Sequence, residues 1–417
     1  MASAASRVTE YCGHSWRRLG VAPAQLRLSF TLPTGQTFRW RQRQPDGSVS
    51  LGIYKPIPPK VECEFIGVLQ TSVVIFRQLP DDVLYRVVAT TPPACGARAP
   101  AQPSPEEFDA VVRDYLNLSP MVDLAALCEG WRSGDERFGV VGSTIYGARV
   151  LRQDPVECLF CFLCSSNNNI KRIHLMIDKL CERYGTPLGG LDGVEYYAFP
   201  TLQQLGVPNA EEMEAVLRAD GFGYRAKFIA GSVAVLKQHE RDGDGGAGWL
   251  LALRGAPRRE ATDALQAMPG IGPKVASCVA LFCLEQGDEV PVDTHVWQIA
   301  VRDYGLELEG KTLTPKNYEQ IGAHFRGIFA ERAGWAHNTL FIADIADFAK
   351  LLPEEARRAP IASPNSASKK GKKGKKPKEK GEKGEKKGGE GGAAKRKGKA
   401  AAPKQSAAKG GKRQRKR

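Results

Sequence analysis

The chain has 417 residues, enough for two or three domains with cores of their own. Its formal net charge is +14, but residues 369–417 hold 22 of the 60 Lys and Arg against 4 of the 46 acidic side chains. The remainder is slightly acidic, so net charge gives no support for nucleic-acid binding by the folded body, and no stretch approaches the length of a membrane span.

The opening MASAASRVTE is Ala/Ser-rich with Arg7, a trace of organellar targeting weakened by Glu10. It has no apolar signal-peptide core, and residues 1–24 are expected to be flexible. From about Leu26 to Leu79 the pattern predicts an antiparallel sheet. LRLSFTL alternates, PTGQ turns, TFRWRQR and SVSLGIY alternate around a PDG hairpin, and VECEFIGVL and SVVIFRQL complete the set. A loop, PPACGARAPAQPSP, then leads into helical segments that run from Pro105 to about Leu352. Caps or breakers recur at Ser119-Pro120, Asp154-Pro155, the Ser165–Asn169 turn, Gly185-Thr186-Pro187 and Val207-Pro208-Asn209. HERDGDGGAG is expected to be a mobile surface loop.

Sheet first and helices after is the α+β arrangement. The expected divisions are a sheet domain over 25–118, a helical domain over 119–357 and a Lys-rich tail over 358–417. The tail is rich in Lys and Gly, lacks aromatic residues and is expected to be disordered. Its clusters KKGKKGKKPK, KRKGK and KRQRKR suit nuclear import or loose phosphate binding, which would raise DNA affinity in a steeply salt-dependent way.

The ten cysteines are scattered, which fits reduced thiols in a nuclear or cytosolic protein. Cys158, Cys161 and Cys164 form a C-x2-C-x2-C run that raises the question of a metal. They lie in an apolar helical pattern, and no fourth cysteine follows at cluster spacing. Their expected role is that of small buried hydrophobes.

Two turns in the helical part carry residues suited to DNA. CSSNNNIKR places Asn167, Asn168 and Asn169 before a helix, with Arg172 one turn in. One asparagine suffices as a cap, and Asn and Arg also read base edges. GFGYRAKF sets Tyr224 beside Arg225 after a glycine turn, a pairing suited to wedging into an opened base stack.

The densest signal is MPGIGPKVASCVALF followed by VPVDTHVW. Apolar spacing makes it helix, tight turn, helix. Gly270 and Gly272 allow positive φ and close backbone approach, and Pro273 suits the first helical turn. Free amides at that helix start suit a DNA phosphate. Lys274 follows the turn, and Asp293 lies 19 residues further on. The helix dipole and apolar neighbours such as Val275, Cys278 and Phe282 disfavour a charged amine there. A neutral amine can attack an electrophilic carbon and form a Schiff base, while an aspartate nearby stabilises a cationic transition state. The other reading makes Lys274 a surface phosphate contact and Asp293 the N-cap of HVWQIAVRDY.

Together these segments resemble the eukaryotic 8-oxoguanine DNA glycosylases of the helix-hairpin-helix superfamily. The resemblance runs from LPTGQTFRW through RQDPVECLF, CSSNNNI, LGGLDGVEYYAFPTLQQL, GYRAK, PGIGPKVASC and VPVDTHVWQIAVRDY to AGWAHNTLF, about Leu26 to Phe348. It implies that Lys274 attacks the C1′ of a flipped nucleotide, releases the base and holds the sugar as a Schiff base, and that β-elimination then nicks the strand. Asp293 would support the cationic transition state, and His295 would contact the DNA backbone along with Gly270 and Gly272. The Gly35 carbonyl would accept the N7 hydrogen that distinguishes 8-oxoguanine from guanine. Cys278 and Phe341 would sandwich the base, Asn167, Arg172 and Arg225 would read the widowed cytosine, and Tyr224 would act as wedge.

The pocket departs from the family at three places. His337 stands where the family has a glutamine, so its contacts to the base edge are rearranged or its preference loosened. Ala346 replaces an arginine that follows the retained Asp344, and Phe282 fills a methionine-type position. The resemblance implies no metal or organic cofactor. It implies a monomer acting on double-stranded DNA that carries oxidised guanine (8-oxoguanine or formamidopyrimidine-guanine) opposite cytosine. The location implied is the nucleus, with a mitochondrial or plastid pool open. The competing readings are a non-catalytic helix-hairpin-helix module and a related glycosylase with another lesion preference. The iron–sulfur members of the latter class carry four cysteines after the catalytic aspartate, and here no cysteine follows Cys283.

Overall fold

The computed structural model describes residues 8–11, 14–50, 56–58, 61–88, 104–243, 245–310 and 312–361. Its first layer is a six-stranded antiparallel sheet in the order β1-β2-β6-β5-β4-β3. The strands are β1 (Val8–Tyr11), β2 (His14–Arg18), β3 (Arg41–Arg43), β4 (Cys63–Leu69), β5 (Ser72–Gln78) and β6 (Val83–Val87). A second, two-stranded hairpin pairs β7 (Pro187–Leu191) with β8 (Val194–Tyr197).

The near-continuous apolar run of β5 follows from burial on both faces. Val74 and Phe76 join Trp40, Phe65, Tyr85, Phe108 and Val112 on one side. Val73 and Ile75 join Ile66, Leu84, Leu188 and Tyr196 on the other. The hairpin β7–β8 thus covers one face of the sheet, while α1 (Leu28–Thr31) and α2 (Pro105–Tyr115) cover the opposite one. Ser104 and Glu107 close a reciprocal capping box at the start of α2.

Four expectations are corrected here. LRLSFTL is not a strand: Leu28–Thr31 forms a single helical turn, and the Leu28 amide donates to Gln78 Oε1 at 2.9 Å. Leu28 enters the sheet core whereas Phe30 enters the helical core, a division that strand alternation on one face cannot make. The segment expected to be flexible over 1–24 supplies β1 and β2, and β6 extends the sheet beyond Leu79. The stretch expected to be almost wholly helical contains β7–β8, whose Asp192-Gly193 turn has positive φ at both residues. The expected loop HERDGDGGAG is mostly helical at its two ends, because the flanking helices run through Arg241 and restart at Ala247. Of SVSLGIY, Val49 bridges to Arg43, and residues 51–55 lie outside the described residues.

The helices that follow α2 are α3 (Leu124–Gly134), α4 (Glu136–Gly142), α5 (Pro155–Ser165), α6 (Ile170–Tyr184), α7 (Leu202–Leu205), α8 (Ala210–Ala219), α9 (Arg225–Arg241), α10 (Ala247–Ala252), α11 (Arg258–Gln266), α12 (Pro273–Cys283), α13 (Thr294–Arg302), α14 (Pro315–Phe329), α15 (Ala333–Asp344) and α16 (Ala346–Ala349). They enclose one large core with α5 and α12 at its centre. α5 is buried on nearly every side, and Cys158, Cys161 and Cys164 fill it as small apolar side chains. Phe30 and Phe38 reach into this core from the N-terminal segment, so the two layers interlock. Arg358–Ile361, which the sequence assigns to the tail, still hold α13: Arg302 donates to the Ala359 carbonyl and the Ile361 amide to Gln298 Oε1. The Lys-rich tail from residue 362 onward lies outside the described residues, as do its expected disorder and binding roles.

Candidate active site

The hairpin between α11 and α12 forms where the sequence places it. Gly270 has φ +78°, and a Cβ there would lie 2.2 Å from the Phe228 ring of α9. Its need for glycine is therefore double, conformational and steric. Gly272 differs from expectation: its φ is −96°, extended, and it is exposed to open space. Gly272 caps α12 without a side chain, and Pro273 follows at the first position. The amides of Lys274 and Val275 are left for an acceptor from outside, as at any helix start without a side-chain cap.

Lys274 is of intermediate exposure, but its amine is turned inward among its neighbours. Nζ lies 5.4 Å from the centroid of the Phe162 ring on α5. The Cys278 thiol, one turn along α12, and the Asp293 carboxylate act on the same amine. Burial pulls the amine down, Cys278 and then Asp293 pull it up, and the net result lies above its ordinary 10.5. The direction is opposite to the lowering that the sequence suggested, so the amine must shed a proton before it can attack. Burial pushes the Cys278 thiol up, and the Lys274 amine beside it pulls it back down.

Asp293 is the N-cap of α13 and accepts from the amides of His295 at 2.9 Å and Val296 at 3.1 Å. The capping role and the proximity to Lys274 hold together, since one carboxylate does both. His295 Nδ1 lies 2.7 Å from Asp344 Oδ2, a contact that holds its pKa above 6.5. Asp344 also accepts from Arg302 at 2.8 Å, so an arginine on α13 pairs with it, while Ala346 merely opens α16. The His295 side chain is 43% exposed, enough to meet a partner.

The pocket residues fall into two sets. His337 is 4% exposed, its ring is set against the Gly334 backbone, and its field includes both Asp293 and Lys274. Its ring lies 6.3 Å from Phe341, which in turn meets His295 edge-on at 5.6 Å. Lys274, Cys278, Asp293, His295, His337 and Phe341 thus occupy one locus. Phe282 stacks on Phe162 at 5.7 Å with the planes 11° apart, and so connects through that ring to the amine. Gly35 sits at φ +91° in a bend with open space where a Cβ would project. It joins the locus through its neighbour: the Gln36 carbonyl accepts from Gln153 Nε2 at 2.7 Å, and the Gln153 amide donates to the Phe282 carbonyl at 3.1 Å.

Burial lowers His337 from 6.5 to about 4. The folded state therefore refuses a proton that the unfolded chain accepts below pH 6.5. Its share of stability is full above pH 6.5 and drains as pH falls toward 4, by roughly 3 kcal/mol across that window. Urea titrations at pH 7 and pH 4.5 should show His337→Gln losing less stability on acidification than the parent, with His174, also lowered to about 4, left to titrate in both.

A second locus gathers the residues proposed for the opposite strand. Asn169 caps α6, and Asn168 ties back to the Cys164 carbonyl at 2.9 Å. Asn167 is left exposed, with φ +45° and a side chain free of internal hydrogen bonds. Arg225 is 3% exposed; its guanidinium donates to the Ser166 and Asn167 carbonyls and lies 4.6 Å from the Tyr224 ring centroid. Tyr224 is 45% exposed and meets Phe228 edge-on at 5.7 Å, the same ring that packs over Gly270. Arg172 is exposed and donates to the Gly221 carbonyl at 2.9 Å. The asparagine turn, Tyr224 and the hairpin are therefore joined through direct contacts.

Phe162 was missed by sequence reasoning, because a phenylalanine in a wholly apolar helix carries no local mark of function. Gln36, Gln153 and Arg302 were missed for a similar reason: their roles lie in contacts more than 40 residues apart in sequence. Among the described residues no group of three or more His, Cys, Asp or Glu side chains is placed to hold a metal ion.

A sheet-plus-helices body with a lysine at the start of the second hairpin helix defines the helix-hairpin-helix class of base excision enzymes. Residues 160–323 match that superfamily of base excision DNA repair proteins, and residues 18–159 match the 8-oxoguanine DNA glycosylase N-terminal domain. The chain is 41% identical over 332 residues to N-glycosylase/DNA lyase OGG1 of Arabidopsis thaliana, across 79% of this chain and 80% of that one. It is 31% identical over 356 residues to the N-glycosylase/DNA lyase of Saccharomyces cerevisiae, across 80% and 87%. The crystal structure of Clostridium acetobutylicum 8-oxoguanine glycosylase/lyase, in complex with double-stranded DNA containing cytosine opposite 8-oxoguanine, superposes with a TM-score of 0.60 at 25% identity, over 80% of this chain and 96% of that one. The chain belongs to the 8-oxoguanine DNA glycosylase family.

Proposed function

We propose that the protein excises 8-oxoguanine, and related oxidised purines such as formamidopyrimidine-guanine, from opposite cytosine in duplex DNA and then nicks the strand. The observation that carries this reading is the inward-turned amine of Lys274, set between Cys278, Phe162 and Asp293 at an uncapped helix start. A lysine meant only to touch phosphate has no reason to bring its amine into an apolar pocket. The target sugar can be reached only once the nucleotide leaves the stack. The α12 amides, Gly270, Gly272 and His295 hold the backbone, Tyr224 wedges the gap, and Asn167, Arg172 and Arg225 face the unpaired cytosine. Cys278 and Phe341 flank the flipped base, with Phe282 and His337 completing its pocket and Gly35 reading N7.

The amine, once neutral, bonds to C1′ as the C1′–N bond to the base breaks, and Asp293 opposes the positive charge that develops on the sugar. The nitrogen lone pair then expels the ring oxygen O4′, which takes up a proton as the C1′–O4′ bond breaks and the Schiff base forms; loss of a C2′ proton then expels the 3′ phosphate. Action in the nucleus, as a monomer, accords with this reading. The test is borohydride trapping on a duplex with 8-oxoguanine opposite cytosine: a covalent adduct is expected, and base release without any adduct would overturn the lysine mechanism.

The Gly35 assignment has its own test. At φ +91° a Cβ costs about 1–2 kcal/mol and tilts the adjacent carbonyl. Gly35→Ala should slow excision of 8-oxoguanine by about tenfold, the worth of one well-placed hydrogen bond. Affinity for undamaged duplex should stay the same, and an unchanged excision rate would remove Gly35 from the pocket.

A further inference from the structure

A buried hydrogen-bonded chain ties the helix that carries Lys274 to the segment that carries Asp293. The Val292 amide donates to Tyr318 Oη on α14 at 3.2 Å, and Tyr318 donates to Ser277 Oγ at 2.8 Å. Ser277 donates to Glu289 Oε1 at 2.5 Å, and Arg258 on α11 donates to Glu289 Oε2 at 2.8 Å. Val292 immediately precedes Asp293; Ser277 immediately precedes Cys278 and lies one turn from Lys274. Ser277 and Glu289 are 2% and 3% exposed.

The chain has only one direction. An amide can only donate and a carboxylate paired with arginine can only accept, so each hydroxyl between them has its proton assigned. A carboxylate this deeply buried is costly unless fully paired, and apolar packing would serve stability as well. What the polar arrangement adds is geometry: it fixes the backbone before Asp293 against a set point on α12. The charge of Glu289 also bears on the Cys278 thiol.

We propose that Tyr318, Ser277 and Glu289 are positioning residues for base excision, locking the Asp293 segment to the Lys274 helix so that carboxylate and amine keep a fixed relation. This rests on the assignment of Lys274 and Asp293 as the reacting pair. None of the three residues touches DNA in this account; they act through the groups they hold.

The experiment compares the full-length parent with Tyr318→Phe, Ser277→Ala and the double variant, on a duplex with 8-oxoguanine opposite cytosine. Circular dichroism first verifies folding, after which single-turnover excision rates and duplex dissociation constants are measured. The expected result is a rate about tenfold lower for each single variant, with duplex affinity within about twofold of the parent. The double variant should fall no further than either single one, because each cuts the same chain. A folded Tyr318→Phe with the parent's rate overturns the proposal, as does a loss confined to affinity or a double variant whose losses multiply. If Tyr318→Phe does not fold, Ser277→Ala decides by the same criteria. A parent protein without excision activity would instead overturn the underlying assignment of Lys274 and Asp293.

Discussion

Lys274→Gln is expected to abolish base release and borohydride trapping together, with at least a ~10⁴-fold loss of excision rate. Glutamine keeps the length and most of the packing against Phe162 and Cys278, so the fold should persist. What disappears is the only group at this locus able to form a bond to C1′ and leave it as a Schiff base. Loss of both activities with lesion-duplex binding retained is the signature of a lost nucleophile. A trapped adduct that survives the change would show that another amine does the chemistry. Because Cys278 and Asp293 both pull the amine's pKa up, the proton it must shed is part of the barrier.

Asp293→Asn should be nearly as damaging to excision and nearly harmless to stability. The carboxylate has two separable jobs, capping α13 through the His295 and Val296 amides and opposing positive charge at the sugar. Asparagine is as good an N-cap as aspartate, so the unfolding midpoint should barely move. The negative charge is gone, and excision should slow by roughly 10²–10³-fold, the scale of losing one preorganised electrostatic group. Asp293→Ala should lose both jobs, adding about 1 kcal/mol of destabilisation. An asparagine variant with parental activity would reduce Asp293 to its cap.

The parts of this site legible in the sequence are those built from local signals. Pro-Gly-Ile-Gly between two apolar helices placed the hairpin, Asp293 declared itself as a cap, and the three asparagines marked a turn with more donors than capping requires. Family resemblance supplied roles that no spacing reveals, such as that of Gly35. Two kinds of information stayed hidden. One is non-local contact: Phe162 beneath Lys274, Arg302 beside Asp344 and Tyr318 between Val292 and Ser277 join segments that are distant in sequence. The other is the balance of opposed electrostatic effects. Burial and the helix dipole argue for a lowered lysine pKa, and only the placement of Cys278 and Asp293 shows that the sum goes upward. In the sheet, alternation in LRLSFTL was outvoted by a chain that must feed two cores within four residues, while the Asp192-Gly193 hairpin signal was present and overlooked.

His337 is where this chain most visibly departs from its family's pattern, and its buried ring lies in the field of Asp293 and Lys274. Compared with an amide, an imidazole offers one donor and one acceptor in a different geometry.

Excision measured on four duplexes, with 8-oxoguanine placed opposite cytosine, adenine, guanine or thymine, tests the central claim most directly. The account predicts rapid base release and a trapped adduct opposite cytosine, and much slower release opposite the other three, because it assigns Asn167, Arg172 and Arg225 to the widowed cytosine. Equal rates on all four duplexes would contradict the cytosine-reading locus, and tight binding with no base release on any of them would make the chain a binding module rather than a glycosylase.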